Sequence, residues 1–78
     1  SAASDVYKRQ VENCIIFKGV KIGKGAVVKD SILMQDTVIG DSAKVNCVIA
    51  DKDVSIKHSV ELSGAPNFPV YLSKKTRI

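Results

Sequence analysis

The sequence contains three consecutive copies of a 17-residue unit, and this repeat constrains the fold more than any other feature. Equivalent positions carry the same kind of residue, usually an aliphatic one, in all three copies. A fixed short period is typical of repeat architectures, in which each unit buries its apolar residues against its neighbours. The copies span Val11–Val27, Val28–Lys44 and Val45–Glu61.

The spacing within one copy predicts strands and turns. Aliphatic residues recur every five or six positions, and the residues between them are mainly Gly, Asp, Lys, Asn and Ser, which favour turns or solvent. No stripe with a 3.6-residue period runs through the repeat, and most of the aliphatic residues are β-branched. We therefore predict a triangular parallel β-solenoid of three coils, stacked about 4.8 Å apart. In the first copy the predicted inward residues are Val11, Ile15, Phe17, Val20, Ile22 and Ala26.

The third copy departs from the pattern at one position. Asp51 falls where the earlier copies have Phe17 and Met34. A carboxylate is a poor core residue, so the sequence predicts a one-residue slip there. On this interpretation Ala50 supplies the inward side chain and the register is restored by Ile56.

The charge distribution argues against a nucleic-acid partner. The chain has a net charge of +4, but residues 11–61 carry seven Lys and seven acidic residues, so the excess lies at the two ends. No basic stripe interleaved with aromatic residues remains, as a nucleic-acid surface would require. Nor does any segment reach the roughly 20 consecutive apolar residues of a membrane span, so no membrane contact is predicted.

The two cysteines and the single histidine do not form a predicted site. Cys14 and Cys47 lie two coils apart, about 9–10 Å at the coil spacing, whereas a disulfide needs Cα atoms within about 7 Å. Two reduced thiols indicate a cytoplasmic protein. His58 occupies the turn position of Lys24 and Asp41, so we expect a solvent-facing corner residue rather than a general base, and no zinc site.

Two further groups of residues are candidate binding sites. Gly23-Lys24-Gly25 lacks the following helix that a phosphate loop needs, so these glycines are predicted to be corners of the solenoid. Lys74, Lys75 and Arg77 form a localised cationic cluster, which is either a solvated tail or a set of contacts for an anionic effector. No catalytic, cofactor-binding or metal-ligating residues are predicted.

The two ends differ from the repeat. Residues 1–10 read as the translation of a transposon sequencing adapter, so we expect them to be disordered and the natural chain to continue upstream of Val11. The first coil then has an open edge that should be adhesive. Residues 62–78 are predicted to form a capping strand and a basic tail, with Phe68 and Tyr71 covering the last coil.

Several stretches resemble known proteins. Ile22–Ala26 and Ile39–Ala43 are similar to the hexapeptide motif, which implies a left-handed parallel β-helix. SILMQDTVIGDSA and VIADKDV, within residues 28–54, resemble the C-terminal domain of ADP-glucose pyrophosphorylase (glucose-1-phosphate adenylyltransferase). GAPNFPV, residues 64–70, resembles the regulatory, glycogen-biosynthesis subunit of the two-subunit bacterial enzymes.

This resemblance implies a non-catalytic piece of a larger enzyme. The family has an N-terminal nucleotidyltransferase domain that uses ATP, glucose 1-phosphate and Mg²⁺ to make ADP-glucose. Its C-terminal β-helix contacts that domain, helps to build a tetramer and contributes to allosteric control. Two alternatives stay open: a fragment of an acyl-CoA-dependent acyltransferase, or the related β-helix of another sugar-nucleotide pyrophosphorylase or of a translation-initiation exchange factor.

Overall fold

The computed structural model describes residues 9–78, and within this range the chain forms eleven short strands and no helix. Each strand has two or three residues, as expected where a turn residue follows every few aliphatic positions. The strands are β1 (Gln10–Glu12), β2 (Ile15–Ile16), β3 (Lys21–Ile22), β4 (Val27–Lys29), β5 (Ile32–Leu33), β6 (Val38–Ile39), β7 (Lys44–Asn46), β8 (Val48–Ala50), β9 (Ser55–Ile56), β10 (Glu61–Ser63) and β11 (Val70–Leu72).

The strands form three parallel sheets, one on each side of a solenoid. Sheet 1 has the order β1-β4-β7-β10, sheet 2 the order β2-β5-β8-β11, and sheet 3 the order β3-β6-β9. Each strand therefore pairs with the equivalent strands of the adjacent coils. The all-β parallel solenoid is confirmed, and it is consistent with a left-handed β-helix.

The three corners of each coil contain residues in the left-handed region of backbone space. The first corner uses the column Asn13, Asp30 and Cys47, with φ between 51° and 54°. The third corner uses Gly25, Ser42 and Ser59. The second corner uses Gly19, Asp36, Asp53 and Lys75. Gly, Asn and Asp tolerate this conformation better than other residues, which explains why glycine and polar residues recur between the aliphatic positions of the repeat.

The register is uniform through the three copies, so the predicted slip in the third copy is wrong. Ile15 pairs with Ile32 and Ile32 with Ile49, each 17 residues apart, and Leu33 pairs directly with Ala50. Asp51 needs no slip because it lies on the outside of sheet 2, where its side chain accepts a hydrogen bond from Tyr71.

Four of the six predicted inward columns are correct, and the two on sheet 2 are wrong by one residue. The Val11, Val20, Ile22 and Ala26 columns face the core. On sheet 2, however, Ile15 and Phe17 point outward and are 59% and 41% exposed. The inward side chains are one residue earlier, because alternate residues of a strand face opposite sides. The inward columns of sheet 2 are Cys14, Ser31, Val48 and Val70, and Ile16, Leu33, Ala50 and Leu72.

Two hydroxyl groups lie inside this apolar core, and both are hydrogen-bonded. Ser31 Oγ donates to the carbonyl of Lys29 (2.8 Å) and accepts from the N–H of Val48 (3.1 Å). Thr37 Oγ1 donates to the carbonyl of Asp51 (3.0 Å). Because buried polar groups are costly only when they lack partners, small hydroxyl side chains fit these columns.

Residues 61–78 form most of a fourth coil. β10 continues sheet 1 with the 17-residue register, pairing Glu61 with Lys44. β11 pairs Val70 with Val48, which are 22 residues apart, so five residues are inserted between the two strands. The residues after β11 also join the stack: Ser55 bridges to Arg77, and the N–H of Lys57 donates to the carbonyl of Ile78 (2.7 Å). The C-terminal residues are thus part of sheet 3 and not a free tail.

The insertion forms a projecting turn. The N–H of Ala65 donates to the carbonyl of Phe68 (3.2 Å), and the N–H of Phe68 donates back to Ala65 (2.9 Å). Phe68 is 82% exposed at this turn, and Tyr71 is 58% exposed on the outside of sheet 2. The prediction that these two aromatic residues cover the last coil is therefore wrong.

The start of the described chain belongs to the first coil. Gln10 is the first residue of β1 and pairs with Val27. Disorder was predicted for residues 1–10; Gln10 instead lies in a strand, and residues 1–8 lie outside the described residues. β1, β2 and β3 each have a single sheet neighbour, and Val11 and Ile16 are 44% and 40% exposed although the residues below them in their columns are buried. Adhesion of this open edge stays a prediction.

Candidate functional site

His58 lies where the sequence predicted, on the third corner of the solenoid. Its side chain is exposed, and its backbone stacks against Gly40 of the preceding coil. No hydrogen bond to a Ser, Cys or acidic side chain accompanies it among the described residues, so nothing there resembles a nucleophile and base pair. The assignment of His58 as a surface corner residue is confirmed.

The glycines of Gly23-Lys24-Gly25 are corner residues, also as predicted. The N–H of Gly23 donates to the carbonyl of Ile39 (2.8 Å), and the N–H of Lys24 donates to Asp41 Oδ1 (2.9 Å). These backbone amides hold adjacent coils together, whereas a phosphate loop would direct them at a ligand.

The two cysteines are free thiols, which confirms the prediction that they are unpaired. Cys14 is partly buried, and its Sγ lies 3.1 Å from the carbonyl oxygen of Glu12. Cys47 is buried at the first corner, two coils below. Within residues 9–78, no three His, Cys, Asp or Glu side chains come close enough together to hold a metal ion.

The Mg²⁺ that the resemblance implies has no matching ligand set in the described residues. Asp30 Oδ1 accepts a hydrogen bond from Asn13 (2.6 Å), Asp41 Oδ1 accepts from the backbone of Lys24, and Asp53 pairs with Arg77. These carboxylates are spread over three different corners, whereas Mg²⁺ needs several oxygen ligands around one point.

The cationic cluster of the C-terminal segment is only partly free to bind an anion. Lys74 and Lys75 form the second corner of the fourth coil and are exposed. Arg77 lies on the outside of sheet 3, where its guanidinium donates to the backbone carbonyl of Asp53 and lies 3.3 Å from Asp53 Oδ1. Arg77 thus has a partner in its own chain, and the two lysines are the accessible cations of this group.

Asp51 and Tyr71 form a hydrogen-bonded pair on sheet 2. The Tyr71 hydroxyl donates to Asp51 Oδ2 (2.7 Å), and the backbone N–H of Lys52 donates to Asp51 Oδ1 (2.7 Å). These bonds, with Tyr71 contributing most, hold the pKa of the Asp51 carboxyl below its usual value. The same bond to Asp51 raises the pKa of the Tyr71 hydroxyl. The pair links β11 to the residue that follows β8, on the outer face of sheet 2.

We expect the Tyr71→Phe substitution to destabilise the fold by an amount that depends on pH. The lowered pKa of Asp51 gives a stabilisation that is complete above about pH 4 and is lost as the pH falls through the folded-state pKa. The raised pKa of Tyr71 gives a stabilisation that is complete below about pH 10 and is lost as the pH rises through its folded-state value. Urea denaturation of both chains across this range measures the difference.

The difference in unfolding free energy should form a plateau near neutral pH and decrease on both sides. The control is the same Tyr71→Phe substitution made in an Asp51→Asn chain. Asparagine keeps a hydrogen-bond acceptor but does not titrate, so in this background the effect of Tyr71→Phe on the unfolding free energy should no longer decrease on the acid side. A difference that does not vary with pH would contradict the pairing.

A groove of about 570 Å³ lies beside sheet 2, and the repeat pattern did not predict it. One side and the floor are formed by residues of the first corner and of the first three coils. The projecting turn forms the other side. The groove depends on the five-residue insertion, and the signal for it in the sequence was the Gly- and Pro-rich segment that interrupts the repeat. Its lining residues include Cys14, Ile15, Ile32, Ile49, Pro66 and Pro69.

These features define a class of protein, the hexapeptide-repeat β-helix proteins, with exposed corners and no catalytic constellation among the described residues. The chain belongs to the family described as GlmU-like, C-terminal hexapeptide, whose model matches residues 1–66. In the part of the chain that the structure describes, no helix is long and apolar enough to cross a membrane.

Curated relatives are similar over most of the chain. Glucose-1-phosphate adenylyltransferase of Acetivibrio thermocellus is 34% identical over 59 residues, which are 76% of this chain and 14% of that protein. Glycogen biosynthesis protein GlgD of Bacillus subtilis is 44% identical over 69 residues, 88% of this chain and 20% of that protein. This chain therefore spans a fifth or less of the length of these relatives. No solved structure matches it.

Proposed function

We propose that this chain is the structural and regulatory β-helix of a glucose-1-phosphate adenylyltransferase-type protein of glycogen biosynthesis. The observation that carries the proposal is the 44% identity to the glycogen biosynthesis protein GlgD over 88% of the chain. This similarity extends beyond the 17-residue repeat, which many unrelated proteins share. The exposed corners and the apolar core of residues 9–78 form a scaffold, and these residues contain no cluster of metal ligands.

On this proposal the chemistry lies in a preceding nucleotidyltransferase domain. That domain would bind ATP, glucose 1-phosphate and Mg²⁺, and the β-helix would contact it and the sister subunits of a tetramer in the cytoplasm. The exposed Lys74 and Lys75 are the proposed contacts for an anionic effector, with Arg77 available only if its bond to Asp53 is exchanged.

The test is to recover the reading frame upstream of the Val11 codon and to assay the longer protein for ADP-glucose formation. A nucleotidyltransferase domain in that frame supports the proposal. Further hexapeptide coils with a histidine in a projecting loop would replace it with the acyl-CoA-dependent acyltransferase. A calorimetric titration of the present chain with acetyl-CoA is the complementary control, and we expect no detectable binding.

A further inference from the structure

We draw no further inference here: the strongest candidate, the groove between the outer face of sheet 2 and the projecting turn, carries nothing because the structure does not show what occupies it, and Asp30, the one charged side chain that lines it among the described residues, already accepts a hydrogen bond from Asn13.

Discussion

Replacing Ile39 with alanine is expected to lower the free energy of unfolding by about 2–5 kcal/mol. Ile39 is 1% exposed and lies in the isoleucine column of sheet 3, between Ile22 and Ile56. Removing three carbon atoms from this column leaves a cavity that the coils above and below cannot fill without shifting their own strands. A chain of this size has a small total stability, so a loss at the upper end of this range would leave the variant largely unfolded. Urea denaturation at a fixed protein concentration measures the loss.

The adjacent residue supplies the control. Val38 belongs to the same strand, β6, but points outward and is 39% exposed. Val38→Ala should cost less than about 1 kcal/mol, because it changes β-propensity and little buried area. Similar losses for the two substitutions would show that the inward and outward sides of β6 have been assigned incorrectly.

Gly40→Ala is expected to cost more than about 2 kcal/mol, for a steric reason. A Cβ atom at Gly40 would lie 2.4 Å from the backbone nitrogen of His58 and 2.6 Å from the carbonyl carbon of Lys57. Both are backbone atoms of the next coil, so the alanine can be accommodated only if the coils separate. Separation would weaken the hydrogen bond from the Gly40 N–H to the carbonyl of Ile56 (2.7 Å). Thermal and urea denaturation of the variant measure this cost.

A substitution at Gly25 separates this steric clash from the backbone strain that any alanine meets at a positive φ. Gly25 has a φ of +68°, and a Cβ atom there would meet nothing nearer than Ser42 Oγ at 3.5 Å. Gly25→Ala should therefore cost about 1 kcal/mol from backbone conformation, and Gly25→Asn less, because asparagine tolerates the left-handed region. Asparagine at position 40 should be as damaging as alanine. Rescue by asparagine at position 40 would refute the steric explanation.

The candidate sites were predictable to different degrees. The corner positions of His58 and of Gly23-Lys24-Gly25 follow from the repeat alone, because the 17-residue unit places them between the aliphatic positions that form strands. The groove and the exposed Phe68 do not follow from the repeat. They depend on an insertion whose turn is closed by backbone hydrogen bonds between Ala65 and Phe68, and on the path of that turn beside sheet 2.

The 17-residue period, the parallel stacking of the coils and the residue types at the corners could all be predicted from the sequence, whereas the uniform register of the third copy could not. The three predictable features are consequences of covalent order, because identical spacing in each copy places like side chains directly above one another. The side of sheet 2 that faces the core could not be predicted in this way and is set by the packing of the coils. Both sides are apolar, so the sequence pattern favoured Ile15 over Cys14, although burial selects Cys14 and supplies Ser31 below it with two hydrogen-bond partners. A period of two cannot identify the inner face of a strand whose two faces are equally apolar, because only the neighbouring coils define the interior.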